Sequence, residues 1–277
     1  MNSAVLYDAP GPKMRRISRM VSIVGLLAIA GGIAWLLATL AAPRETQPGI
    51  VQPGLFDSSR WNIFYEPFRG YSPVQVWNGI LSGLLATFGA AVVAGILAMC
   101  LGLVICLLRL AKGKWLRVPT TILLEFVRGM PVLLMMLFIL LVFGMSTFWV
   151  VVAALAIYNG AIIGEAIRAG IQSLPRGQRE AGLSLGLSSL QVRLIVELPQ
   201  ALRQMTPIIV AQLVVLLKDT SLAYIIGYED LLKKVTNLSN FYGDRYFFSV
   251  FFVALVAYLI VNLSLSWFAW YLSRHVR

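Results

Sequence analysis

Long apolar stretches alternate with short polar connections along most of the chain. A helix needs ~20 apolar residues to cross a hydrocarbon core of about 30 Å. Predominantly apolar stretches of that length lie near residues 20–42, 78–108, 119–142, 148–168, 204–224 and 246–270. Because backbone polar groups in lipid must be satisfied within the crossing segment itself, the pattern predicts an all-α membrane protein with six transmembrane helices.

Composition and charge agree with this prediction. Hydrophobic residues make up 59% of the chain and charged residues 13%, with a mean hydropathy of +0.81, which exceeds what a soluble domain can bury. Lys and Arg are roughly twice as frequent in the connections on the side of the N-terminus, and positive connections stay in the cytoplasm. We therefore expect a multi-pass cell-membrane protein, surrounded by lipid, with both termini cytoplasmic. The net charge of +11 is spread over short connections, so nucleic-acid binding is not expected.

The first apolar stretch follows a basic segment, so a cleaved signal peptide is an alternative to a retained helix. Its apolar run is longer than the roughly 7–15 residues of a signal-peptide core, which favours the helix. The expected order is a cytoplasmic tail at 1–19, an additional N-terminal helix at 20–42, an external loop at 43–77, a membrane core at 78–272 and a cytoplasmic tail at 273–277.

A polar segment at 175–199, which we call the polar element, separates the fourth and fifth apolar stretches. Pro175 suits the first turn of a helix, and Gly186 suits the position just past a helix end. Ser188 with Gln191 forms a capping-box pattern that starts a second short helix, which should end near Pro199. The sequence predicts a bent two-helix element that projects from the membrane.

The first of these helices has the surface of a docking site. Its small residues let another backbone approach closely, and polar side chains lie beside them. The residues that we expect to contact a protein partner are Arg176, Gly177, Gln178, Arg179, Glu180, Ala181, Gly182 and Gly186. The alternative is an amphipathic helix lying on the membrane surface, for which glycines are poor choices.

The polar element resembles the EAA motif of ABC importer permeases, which reads Glu-Ala-Ala, three residues, Gly, nine residues and Ile-x-Leu-Pro. The chain departs from that pattern with Gly182 in place of Ala and Val196 in place of Ile. It matches the pattern at Glu180, Ala181, Gly186, Leu198 and Pro199.

Neighbouring strings extend the resemblance to the permeases that import polar amino acids, the histidine/glutamine/glutamate type. The match covers about residues 74–272, so the first apolar stretch lies outside it. The strings, in the expected order and spacing, are EFVRGMPVLL, YNGAIIGEAIRAGIQSLPRGQREAG and LLKDTSLAYIIG.

The resemblance implies a five-helix type I importer permease core plus one N-terminal helix. It implies that the polar element is a coupling helix that fits a groove on an ATP-hydrolysing subunit. The implied partners are two ABC ATPase subunits, a second homologous or identical permease subunit and an external amino-acid-binding protein. This chain has no G-x-x-x-x-G-K-[ST] loop, so we expect ATP to be bound by the partner and no cofactor to be bound by this chain.

Two carboxylates lie three residues before an arginine within predicted spans, where a charge is costly. Glu125 with Arg128, and Glu165 with Arg168, can meet on one helix face. They are candidate ion pairs, either gating the transport path or neutralising each other structurally.

A polar break interrupts the fifth apolar stretch at Lys218, Asp219, Thr220 and Ser221. Transporters commonly place substrate at such breaks, so these residues are candidates for the substrate pathway. A structural Lys–Asp pair or an outer-surface position are alternatives. The ammonium of Lys218 would favour a carboxylate, which makes glutamate or glutamine the expected substrate.

Other functional classes fit less well. An ion-coupled secondary transporter or a channel would also place charges in its spans, yet it has no need for a protruding glycine-rich element. Cys100 and Cys106 lie about 240° apart around one helix, and the only histidine, His275, is near the C-terminus. We therefore expect no disulfide, no metal site and no enzyme activity.

Overall fold

The computed structural model describes residues 11–47, 50–68 and 70–275. The predicted terminal tails therefore lie partly outside the described residues. The chain divides into two units, one before and one after the boundary between Tyr65 and Glu66.

The first unit contains one long helix and a small hairpin. Helix α1 (Pro12–Ala41) begins at a proline, which suits the first turn of a helix, and none of its residues is buried. Strands β1 (Arg44–Gln47) and β2 (Ile50–Gln52) are antiparallel. The guanidinium of Arg60 holds the segment that follows, because it donates hydrogen bonds to Pro53 O and Gln52 Oε1, both at 3.0 Å. The predicted external loop thus contains a hairpin and short 3-10 turns.

The second unit is almost entirely helical, and its short connections include 3-10 turns at Thr220–Tyr224 and Asp244–Tyr246. A π-helical turn at Val192–Glu197, which we call the π segment, lies between α7 and α8. The helices are α2 (Pro73–Arg109), α3 (Lys114–Gly129), α4 (Val132–Phe143), α5 (Thr147–Ser173), α6 (Arg176–Ser184), α7 (Ser189–Gln191), α8 (Leu198–Asp219), α9 (Leu231–Tyr242) and α10 (Phe247–His275).

The core is built around α5, which packs against α2, α4 and α8. Small residues bring α2 and α5 together: a Cβ on Gly164 would lie 2.7 Å from Gly102 O, and a Cβ on Gly160 would lie 3.2 Å from Ala98 O. Close approach through small residues is typical of helix packing in membranes, where lipid provides no hydrophobic force between helices. The glycines of α5 are therefore required by packing.

The predicted span at 119–142 is wrong as a single helix. It consists of α3 and α4, which are bent by 106° at Met130 and Pro131. Proline has no N–H and disfavours helical backbone in the residue before it, and Met130 is extended at φ −90° and ψ 128°. In the described residues, five helices are long and apolar enough to cross a membrane, and the bent pair makes a sixth candidate.

The predicted end of the second short helix near Pro199 is also wrong. Pro199 follows the π segment directly, at the second residue of α8, and the helical backbone continues through it. A change of helix type is a place where a helix can accept a residue without an N–H. The helical run is continuous from Ser189 to Tyr224, so the second part of the polar element is an extension of the fifth span.

Candidate functional site

The first helix of the polar element begins and ends where the sequence predicts. Pro175 is the extended residue before α6, and Gly186 follows the helix with φ +84°. Gly186 N–H donates to Leu183 O at 3.0 Å, and Leu187 N–H donates to Gly182 O at 3.2 Å. These two bonds form a Schellman motif, which satisfies the last carbonyls of a helix and favours glycine at the left-handed position.

The second helix of the polar element begins at the predicted capping box. Ser188 Oγ accepts a hydrogen bond from Gln191 N–H at 3.3 Å, and Gln191 Oε1 accepts one from Ser188 N–H at 2.8 Å. The two bonds satisfy backbone donors that a helix N-terminus otherwise leaves free. The turn between α6 and α7 is therefore defined at both of its ends.

The prediction of a flat docking patch is wrong at Gly182. It is buried, and a Cβ at this position would lie 2.9 Å from Val192 Cγ2. The absence of a side chain thus lets α6 pack on the π segment of the same chain. Gly182 does not offer an open surface to a partner.

Two apolar side chains are exposed at the tip of the polar element. Leu185 is 83% exposed and Leu190 is 57% exposed, on either side of the turn at Gly186. Sequence reasoning singled out the glycines and polar residues and missed these leucines. The signal was present, because leucines recur through LSLGLSSL in a segment that is otherwise polar.

The remaining predicted docking residues divide between two sides of α6. Arg176, Arg179 and Glu180 line a cavity that also reaches Arg109 and Arg168. Gly177, Gln178 and Ala181 are exposed. The eight predicted residues therefore do not form one surface.

The carboxylate of Glu165 joins two helices. Arg168 binds it with both ends of its guanidinium fork, Nε to Oε2 at 2.9 Å and Nη2 to Oε1 at 2.6 Å. Arg109 at the end of α2 contacts the same Oε2, a partner that the sequence reasoning did not identify. By contrast, the Glu125–Arg128 pair is more open, with 3.6 Å between Oε1 and Nη1.

The polar break in the fifth span coincides with a change of helix type. Helix α8 ends at Asp219 and continues as the 3-10 turn. Lys218 and Ser221 are exposed, and the buried Thr220 donates its hydroxyl to Leu217 O at 2.6 Å. Within the described part of the chain, Lys218 Nζ has no carboxylate within 4 Å, so the alternative of a structural Lys–Asp pair is not formed.

A buried amide pair that sequence reasoning missed connects α5 and α8. Asn159 is fully buried, and its Nδ2 donates to Leu155 O at 2.8 Å. Gln212 Nε2 donates to Asn159 Oδ1, also at 2.8 Å. An amide in an apolar span was the available signal, but its partner lies 53 residues away in the sequence.

The connection after the fifth span holds a buried carboxylate. Asp230 is 1% exposed, and its Oδ1 accepts a hydrogen bond from Lys233 N–H at 2.8 Å at the start of α9. Burial raises the pKa of Asp230 to about 6. Among the described residues, no cluster of His, Cys, Asp and Glu could hold a metal ion.

Comparison with known proteins identifies one family over most of the chain. Residues 91–277 match the binding-protein-dependent transport system inner membrane component. The glutamate transport system permease protein GluD of Corynebacterium glutamicum is 34% identical over 81% of this chain and 82% of its own length. The probable glutamine ABC transporter permease protein GlnP of Bacillus subtilis is 37% identical over 69% of this chain and 88% of its own length.

Solved structures share the fold. The crystal structure of an amino acid ABC transporter with histidines has a TM-score of 0.65 at 29% identity, covering 73% of this chain and 96% of that chain. An inward-facing MetNI methionine ABC transporter has a TM-score of 0.63 at 17% identity, over 74% of this chain and 99% of that one, and supports the fold alone. The family match begins inside α2, so α1 lies outside it. The chain belongs to the binding-protein-dependent transport system inner membrane components, as a multi-pass permease of the amino acid ABC importers with an all-α membrane fold, and not an enzyme.

Proposed function

We propose that this permease moves glutamate or glutamine into the cell, driven by ATP hydrolysis on two partner subunits that dock on the polar element. A second permease subunit, homologous or identical, completes the pathway, and an external amino-acid-binding protein delivers the substrate. ATP is bound by the partners, and this chain holds no cofactor. Both termini lie in the cytoplasm, as the distribution of basic residues favours.

The observation that carries this proposal is the geometry of the polar element. Its turn is fixed by Gly186 and the capping box, and α6 packs on the π segment through Gly182 and Val192. The π segment leads into α8 without a break. A displacement of α6 by a partner is therefore passed to the fifth span, as a two-state rocking mechanism requires.

The exposed leucines at the tip supply the apolar contact that this docking needs. Apolar anchors surrounded by polar residues are typical of the central part of protein interfaces. Leu185 and Leu190 have this role, together with the neighbouring exposed Gly177, Gln178 and Ala181.

The end of α8 supports the choice of substrate. Lys218 is exposed beside a change in helix type and has no carboxylate partner in the described residues. An ammonium in that position attracts a carboxylate, with Asp219 and Ser221 beside it. Two relatives carry glutamate or glutamine in their names, which agrees with this choice.

The ion pairs have a structural role in this proposal. Glu165 holds the ends of α2 and α5 together through Arg109 and Arg168, close to α6, so that these helices move as one body. Glu125 and Arg128 are more exposed, so their ion pair contributes less to the stability of the fold than the pairs of Glu165 do.

The proposal is tested by purifying the tagged chain in mild detergent, identifying the proteins that accompany it, and reconstituting the complex in proteoliposomes. We expect uptake of labelled glutamate or glutamine that requires ATP and is unaffected by a proton uncoupler. Uptake by the chain alone, driven by an ion gradient, would instead establish a secondary transporter.

A further inference from the structure

A cavity lined by arginines lies between α6 and the membrane helices. Its volume is about 740 Å³, which falls in the range of small-molecule sites. We call it the arginine cavity, and the arginines that line it are Arg109, Arg117, Arg168, Arg176, Arg179 and Arg193.

Positive charge in this cavity is not balanced by the protein. Glu165 pairs with both Arg109 and Arg168, and its single negative charge balances only one of these two arginines. The other four arginines have no carboxylate within 4 Å in the part of the chain that the structure describes, although Glu180 and Glu197 also line the cavity.

Two of these four arginines, Arg179 and Arg193, are half-buried. Withdrawing a charge from water without a counter-charge is unfavourable. A bound anion would remove this cost. Guanidinium groups bind phosphate oxygens through paired hydrogen bonds, so phosphate is the anion that this set of side chains fits best.

Exposed aromatic and basic side chains close to the cavity in sequence favour a position at the level of lipid headgroups. Arg117 on α3 lines it, and two residues earlier Trp115 is 93% exposed. Tryptophan is enriched at membrane–water interfaces. Lys112 and Lys114, both exposed, add charge at the same level, which favours anionic lipid.

We propose that the arginine cavity binds a phosphate group, with Arg117, Arg176, Arg179 and Arg193 as its ligands. The phosphate belongs to the headgroup of an anionic phospholipid or to a soluble phosphate ester, and both present the same chemistry. The site is independent of the proposed transport function, because binding requires neither the ATPase nor the substrate. Because α6 contributes two of the ligands, the bound anion would also hold the polar element against the membrane helices.

Native mass spectrometry of the full-length chain tests the lipid source. The chain is released from nanodiscs that contain equal amounts of phosphatidylglycerol and phosphatidylcholine, and the retained lipid is counted. We expect phosphatidylglycerol to be retained preferentially, and Arg179→Gln with Arg193→Gln to reduce this retention by at least about tenfold.

Two further variants separate binding from folding. Arg117→Gln changes an exposed ligand on a different helix, and should reduce retention without affecting the fold. Arg203→Gln is the matched control, because Arg203 is exposed on α8 and does not line the cavity. It should retain phosphatidylglycerol as the unchanged chain does.

Nanodiscs of phosphatidylcholine alone, titrated with inorganic phosphate or glycerol phosphate, test the soluble source by thermal unfolding. Stabilisation that Arg117→Gln abolishes and Arg203→Gln preserves would assign the site to a soluble anion. Equal retention of the two lipids together with no response to phosphate would overturn the proposal. The arginines would then be assigned to binding an acidic surface on a protein partner. Equal losses in Arg203→Gln and Arg117→Gln would also overturn it, since binding would then follow total charge.

Discussion

Gly182 and Val192 lie so close that a Cβ on the glycine would meet Val192 Cγ2 at 2.9 Å. Valine is stiff at χ1 and cannot rotate away without strain. This close approach keeps α6 packed on the π segment, because any side chain at Gly182 would push the two apart.

Gly182→Ala therefore tests the packing of the polar element. Alanine favours helix by roughly 0.5–1 kcal/mol over glycine, but overpacking costs about 1–3 kcal/mol, so we expect a net loss of about 1 kcal/mol in the free energy of unfolding. Gly177→Ala on the same helix is the control, since nothing lies within 4 Å of its added Cβ, and it should cause no loss. Unfolding of the purified variants in detergent measures both, and equal stability would contradict the packing argument.

Leu185→Asp tests the tip as a docking surface. Leu185 is exposed, so the fold and membrane insertion should be preserved, whereas a charge in an apolar interface costs at least about 2 kcal/mol of binding free energy. We expect ATP-dependent uptake by the reconstituted complex to fall at least about tenfold, with Leu185→Met close to the unchanged chain. Normal uptake by Leu185→Asp would exclude the tip from the interface.

Glu165→Gln tests the joint between α2 and α5. The change leaves two partly buried arginines without a counter-charge, and breaking a buried pair costs about 3–5 kcal/mol. Because the joint retains some exposure, we expect a loss of roughly 2–3 kcal/mol, below the range for a fully buried pair.

Glu125→Gln is the matched control for that change. Its carboxylate is 59% exposed and its arginine 42%, and pairs of this kind contribute under about 1 kcal/mol. Similar losses in the two variants, measured by thermal unfolding, would show that burial does not distinguish the pairs.

Asp230 should make stability depend on pH. Its folded pKa is about 6, above the ordinary 3.8, so the folded chain keeps a proton that the unfolded chain has released. Stability from this group is therefore full below pH 3.8 and is lost as the pH rises through 6.

Asp230→Asn isolates this effect, because asparagine is an equally good helix cap and has no charge to desolvate. The Tm of the variant minus the Tm of the unchanged chain should be near zero at pH 4, rise up to pH 6–7 and then level off. A Tm difference that is constant between pH 4 and pH 8 would contradict the assignment of this pH dependence to Asp230.

Lys218→Glu tests the substrate pathway. Lys218 is exposed, so its replacement should leave the fold unchanged, but the reversed charge repels a carboxylate. We expect at least about a tenfold loss of glutamate uptake, equivalent to roughly 1.4 kcal/mol, with Lys218→Arg largely retaining activity. Unaltered affinity and rate in Lys218→Glu would remove this residue from the pathway.

Local signals in the sequence were sufficient for the polar element's turn. Gly186 adopts a left-handed backbone that other residues avoid, and Ser188 with Gln191 bonds only within its own turn. Both features depend on neighbouring residues, so the sequence contained the information needed to place them.

Features for which two backbone conformations have similar energies were not predicted. Proline is disfavoured in a helix interior, which predicts a helix end at Pro199, but the π segment just before it lets the helix continue. The break at Pro131 was missed for a related reason. Hydropathy averaged over the span at 119–142 is high on both sides of the proline, so the average does not show that the helix is interrupted there.

Features that depend on distant partners were beyond local patterns. Gly182 could face a partner or the π segment, and only the packing of α6 decides which. Asn159 meets Gln212, and Glu165 meets Arg109, across separations that the sequence pattern does not encode.

The unbroken helix from Ser189 to Tyr224 is long and apolar enough to cross a membrane, and in the proposed transport mechanism it is a rigid lever between the polar element and the Lys218 region. If it tilts about its middle, the end beside α6 and the end beside Lys218 move in opposite directions. A displacement of α6 that moves the π segment would therefore also move the Lys218 region, with no separate relay of side chains between them.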